Sequence, residues 1–271
     1  MPRFSSFDGI EIAYQEWGGD SMTTLLPPVF LHHGFIADAN LNWVGPKVTE
    51  ALSRAGRRVV ALDARGHGAS GKPHDSSFYG EDKMAADLRR LFDLSGVDQV
   101  DQVDLVGYSM GALVSLLTAS QDSRVRRLVV GGVGAGIVER DSLNSRVAAR
   151  STIAAALRIP DAGSIQDPIA MRFRRLADVV GTDREALAAC AEASFSSSVP
   201  FAQITAPTLV LVGDEDPNCR AAGSARCCHP SCAAPPDLWR SSGRRHQSGV
   251  RTGDRGVSGE GVAGRITEGL S

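Results

Sequence analysis

The chain has 271 residues, 42% of them hydrophobic and 22% charged, and its 29 Lys and Arg against 31 Asp and Glu give a formal net charge of −2. This composition excludes disorder, collagen and coiled coil, and it suits one large α/β domain with an insertion. The balanced charge supplies no basic field for nucleic acid or an anionic membrane surface.

Met1 to Asp8 lacks a basic segment followed by an apolar run, and the longest apolar stretch, residues 128–138, is glycine-rich and too short to span a bilayer. A cytoplasmic protein without membrane insertion is therefore expected, its five cysteines free thiols rather than a disulfide framework.

In chain order, residues 4–7 and 10–17 flank Asp8-Gly9, the turn signal of an antiparallel hairpin at a sheet edge. Short aliphatic runs at 29–32 and 58–62 predict strands. Met84, Leu88, Leu91 and Phe92 then fall at helical spacing, as on one face of a helix covering a sheet. The tripeptide Val97-Asp98-Gln99 recurs at Val100-Asp101-Gln102, which reads as a lengthened loop before the next strand, at 103–106. A helix is predicted over 112–118 and strands over 125–133 and 208–212. This alternation predicts an α/β fold with a doubly wound, mostly parallel sheet.

Between about residues 137 and 200 the pattern turns to helix-period segments rich in Ala, Arg and Ser, read as an inserted helical cap. The expected organisation is thus a first core part over 1–136, a cap over 137–200 and a second core part over 201–271. From about residue 219 the chain carries few large aliphatics among many Gly, Arg, Ser and Pro, a poor composition for completing a core.

The sharpest chemical signal is Gly107-Tyr108-Ser109-Met110-Gly111, set between a predicted strand and a predicted helix. In that context G-x-S-x-G is a nucleophile elbow. Its glycines permit close backbone approach around a strained turn that presents the Ser109 hydroxyl, with a helix N-terminus aimed at it.

With Leu31-His32-His33-Gly34-Phe35, Asp63-Ala64-Arg65-Gly66-His67-Gly68-Ala69-Ser70 and Gly213-Asp214-Glu215-Asp216 in the same order, the sequence resembles the α/β-hydrolase family from about Phe4 to Asn218. The resemblance implies Ser109 as nucleophile, the backbone amides of Phe35 and Met110 as oxyanion hole, and Asp216 as the acid, with Asp214 as runner-up. It also implies that the base follows the acid in the chain, which leaves His229 and His246. His246, far enough beyond Asp216 for a helix and a strand, is the one chosen.

Cys219, Cys227, Cys228 and Cys232 lie in the atypical tail. Cys227-Cys228-His229-x-x-Cys232 has ligand types suited to zinc but no paired C-x2-C frame, so neither metal nor cofactor is expected. The tail also has the composition expected of a GC-rich gene read out of frame. With permitted codons, Trp239-Arg240-Ser241-Ser242 read from the second base encodes Gly-Asp-His-Leu, which resembles the family's catalytic-histidine turn.

The expected function is a serine hydrolase that acts on a small or medium acyl substrate, a carboxylic ester or lactone, through a Ser-His-Asp triad and a covalent acyl-enzyme. The alternative is an impaired or non-catalytic protein of the same fold without a competent histidine.

Overall fold

A computed structural model describes residues 1–18, 26–97, 101–133, 141–193 and 199–211, of which 141–148 are described as helical backbone alone. The Gly213 to Asp216 motif and the tail after it, with Asp214, Asp216, His229, His246 and the tail cysteines, lie outside the described residues, as do three of the six residues of the tripeptide repeat.

The chain opens with β1 (Arg3–Ser5) and β2 (Glu11–Trp17), paired antiparallel with Phe4 opposite Ile12. The turn between them closes through Gly9 N–H to the Ser6 carbonyl at 3.1 Å, at the Asp-Gly position that favours it. The strands β3 (Val29–His32), β4 (Val59–Leu62), β5 (Val103–Tyr108), β6 (Val125–Gly131) and β7 (Thr208–Leu211) complete a seven-stranded sheet of order β1-β2-β4-β3-β5-β6-β7. β1 and β2 run antiparallel to the rest, and the other neighbours are parallel.

Alternation along the strands divides the core in two. Phe30, Val60, Leu62, Leu105, Leu128 and Val130 belong to one cluster, covered by α2 (Glu81–Leu94) and α3 (Met110–Gln121). Their neighbours Val29, Leu31, Val59, Ala61, Val106 and Val129 form the other, against Trp43 and α1 (Val48–Arg54). The period of two along each strand thus sends successive side chains to opposite, covered faces, as parallel sheets require. Met84, Leu88, Leu91 and Phe92 of α2 are all buried, on the face their spacing predicts.

Beyond the hairpin, two strand ends differ from expectation by two residues. β6 stops at Gly131 because Gly132 takes φ +66° and turns the chain, although the apolar run continues. β5 runs on to Tyr108, since the elbow begins only at Ser109.

Between β6 and β7 stand α4 (Asp141–Arg158), α5 (Pro168–Val180) and α6 (Arg184–Glu192). Asp167 caps α5 by accepting from the Ala170 amide at 2.7 Å, Pro168 occupies its first turn, and Gly181 ends it in the left-handed region. Asp183 caps α6 likewise, from the Ala186 amide at 3.0 Å. Ile153, Leu157, Ala177 and Leu187 form a cluster between these helices, and Ile36 from the loop after β3 joins it. That contact joins the three helices to the loop that follows β3.

Candidate active site

Ser109 sits where β5 gives way to α3, with φ +54° and ψ −111°. For a residue with a Cβ this costs about 1–3 kcal/mol, so the surroundings must impose it. They do so through the Ser109 amide, which donates to the Gly131 carbonyl of β6 at 2.8 Å, and through its carbonyl, which accepts from Ala112 and Leu113 at 3.0 and 3.3 Å.

Two glycines make the elbow possible. A Cβ at Gly111 would overlap the carbonyl oxygens of His32 and His33, and one at Gly107 would overlap the Gly111 carbonyl and the Ser115 hydroxyl. The turn is therefore packed backbone on backbone, and the N-terminus of α3 brings its partial positive charge to the nucleophile.

The loop after β3 faces Ser109. Its Gly34 amide donates to Asn42 Oδ1 at 2.7 Å. The Ala64 amide donates to His33 Nε2 at 2.8 Å, which leaves the ring proton on Nδ1 to donate to the Gly34 carbonyl at 2.8 Å. With both groups of Gly34 held, the next amide has a fixed direction. Among the described residues neither the Phe35 amide nor the Met110 amide donates to another protein group. Such free, preorganised donors beside a nucleophile are what an oxyanion needs.

The Asp63 to Ser70 turn is a frame rather than a reactive group. Asp63 accepts from the Ala39 and Ala69 amides at 2.9 and 2.8 Å, and the Ser70 hydroxyl donates to the Asp63 carbonyl at 2.6 Å while accepting from Ala13 at 2.8 Å. Arg65, wholly buried, pairs with Asp87 at 2.7 Å and Asp8 at 2.6 Å and donates to the Phe78 carbonyl. Burial holds His32 and His67 neutral, with the His33 ring beside them adding to the effect, and depresses both to about 3.

Ser109, Phe35 and Met110 line one cavity of about 690 Å³, within the usual range of small-molecule sites. Its walls are largely apolar, among them Leu113 of α3, Ile153 of α4, and Phe173 and Leu176 of α5. The Phe35 and Phe173 rings pack with centroids 5.9 Å apart, tying α5 to the loop after β3. Glu81 and Arg150 also line the cavity and form an ion pair with each other. Cys190 lines it too, but burial and the neighbouring Glu81 push its thiol up to about 12, so it is no nucleophile at neutral pH.

Sequence reasoning placed Ser109, Phe35 and Met110 together, and the structure brings all three to the same cavity. It left out Asn42, Glu81, Arg150 and Cys190. No local pattern marks these residues, since each reaches the cavity from a different element.

A family model described as alpha/beta hydrolase fold matches residues 27–133. The sn-1-specific diacylglycerol lipase ABHD11 of Danio rerio is 36% identical over 122 residues, 45% of this chain and 35% of that protein. The serine hydrolase BPHL of Mus musculus is 32% identical over 136 residues, 50% of this chain and 44% of that protein. The chain thus spans less than half the length of these curated relatives. Among solved structures, a hydrolase from Pseudomonas aeruginosa PA01 is 26% identical with a TM-score of 0.55, covering 78% of this chain and 79% of that one.

Proposed function

We propose that this chain, an α/β-hydrolase-fold protein, is a serine hydrolase acting on a small or medium acyl substrate, a carboxylic ester or lactone. The observation that carries this reading is the elbow conformation of Ser109 beside two unengaged amides in an apolar cavity. In this reading the Ser109 hydroxyl attacks the substrate carbonyl, and the Phe35 and Met110 amides hold the oxyanion of the tetrahedral intermediate. α4, α5 and α6 act as a cap over the acyl group. His246 takes the proton from Ser109 and returns it to the leaving group, Asp216 orients the imidazole, and water then releases the acyl chain.

The composition of the tail favours a second reading, in which the base is missing and the chain is a hydrolase scaffold. Loss of one triad member lowers turnover by several orders of magnitude while leaving pocket and oxyanion hole in place.

Labelling with a fluorophosphonate, together with turnover of a short-chain p-nitrophenyl ester, separates the two. Labelling and turnover that vanish in Ser109→Ala and in His246→Ala support the triad. Turnover that survives His246→Ala but not Ser109→Ala removes His246 from the mechanism. A folded protein that neither labels nor turns over leaves the scaffold reading.

A further inference from the structure

We infer that the cavity at Ser109 selects an anionic substrate, the monoester or lactone of a dicarboxylic acid, and that Arg172 on α5 pairs its free carboxylate. The inference rests on the serine hydrolase reading only for the bond to be cleaved, because carboxylate recognition is a property of the cavity wall itself.

Among the described residues, three charged side chains line the cavity: Glu81, Arg150 and Arg172. The first two cancel. Glu81 is buried and closes an ion pair with Arg150, which also donates to the Ala193 carbonyl at 3.3 Å. Arg172 has neither an ion pair nor a hydrogen bond among the described residues. Among the described residues, the wall therefore carries one uncompensated positive charge.

Of the other arginines on α5, Arg174 is committed elsewhere, while Arg175 is exposed. Arg174 is buried against Asp178 at 3.0 Å and against the Ala156 and Pro160 carbonyls, and Asp178 is also the acid nearest Arg184. Arg172 instead shares the cavity-lining stretch with Phe173 and Leu176, and Phe173 packs on Phe35. The stretch of α5 that carries Arg172, an exposed side chain, is thus tied to the loop that bears the amide proposed for the oxyanion. A carbonyl held there would direct the rest of the acyl chain along the Phe173 and Leu176 wall toward it.

A largely apolar cavity with one cation unpaired among the described residues distinguishes ligands by charge. A neutral acyl chain gains only apolar contact, whereas a carboxylate at its end also gains a charge-assisted, bidentate pair. Arginine suits this role because its planar fork matches a carboxylate and stays charged at every working pH.

The test separates this inference from catalysis. Full-length Ser109→Ala protein is titrated calorimetrically at low salt with glutaric acid mono-anilide and with valeranilide, which has the same chain length without the charge. The acid is expected to bind about tenfold more tightly. Arg172→Gln should abolish that preference while moving valeranilide affinity less than twofold, and Arg172→Lys should keep part of it. Equal binding of the two anilides, no measurable binding of the acid, or a preference that survives Arg172→Gln would overturn the inference. Absent fluorophosphonate labelling in the unsubstituted protein would sink the hydrolase reading alone, leaving the anilide preference to be judged separately.

Discussion

At the scale of single residues, the site depends on places where no side chain fits and on one where a charge is fully enclosed. Gly111 meets the His32 and His33 carbonyls, which are backbone and cannot turn aside. Gly111→Ala is therefore expected to lose about 1–3 kcal/mol or more, read as a lower urea midpoint together with lost fluorophosphonate labelling. An unchanged midpoint would show that the elbow relaxes. Arg65 is the counterpart in charge: wholly buried, it pairs with both Asp87 and Asp8. Arg65→Met leaves the Asp87 carboxylate buried without its partner, and a loss of about 3–5 kcal/mol is expected from denaturant unfolding. Asp87→Asn in the same background should recover part of it. If it does not, the cost of Arg65→Met lies in packing rather than charge.

At the scale of elements, short-range chemistry explains most of the boundaries. α5 begins where Asp167 accepts from Ala170 and Pro168 needs no amide partner, and it ends at Gly181 in the left-handed region. Asp167→Ala removes the cap, at a cost of about 1 kcal/mol. Because α5 carries Arg172 and Phe173, hydrogen exchange in its first turn should quicken more than in β3 or β5. Uniform quickening across the chain would mean that the cap supports the whole fold rather than its own helix. The strands were legible for a similar reason: residues buried on both faces read as unbroken aliphatic runs, as in Val29–His32 and Val59–Leu62. β6 was overrun because its apolar run continues past Gly132, and a backbone turn at a glycine leaves no mark in hydrophobicity.

At the scale of the whole molecule, three histidines tie stability to pH. His32, His33 and His67 are fully buried, and burial lowers all three, His32 and His67 to about 3. The unfolded chain takes up these protons near pH 6.5, while the folded chain refuses them until far lower pH. Their contribution is complete above pH 6.5 and is lost as pH falls, by about 1.4 kcal/mol per pH unit for each histidine. Urea midpoints should therefore decline from pH 6.5 to 5, and His67→Phe should flatten the slope by one histidine's share. Midpoints that stay level across this window would mean that the rings protonate in the folded state.

By itself, the sequence determined the alternation of strands and helices, the hairpin at Asp8-Gly9 and the elbow at Ser109, because period, turn chemistry and close glycine spacing act over a few residues. Only the tertiary structure decided that Asn42 holds Gly34, that Arg65 joins Asp8 and Asp87, and that Gly131 clamps the Ser109 amide. It alone also put Glu81, Arg150 and Arg172 around one cavity. These groups meet across different elements, 57 residues apart for Arg65 and Asp8 and 69 for Arg150 and Glu81. No local propensity encodes such meetings. They follow from how the helices dock on the sheet, where a polar group gains by meeting a partner as it is buried.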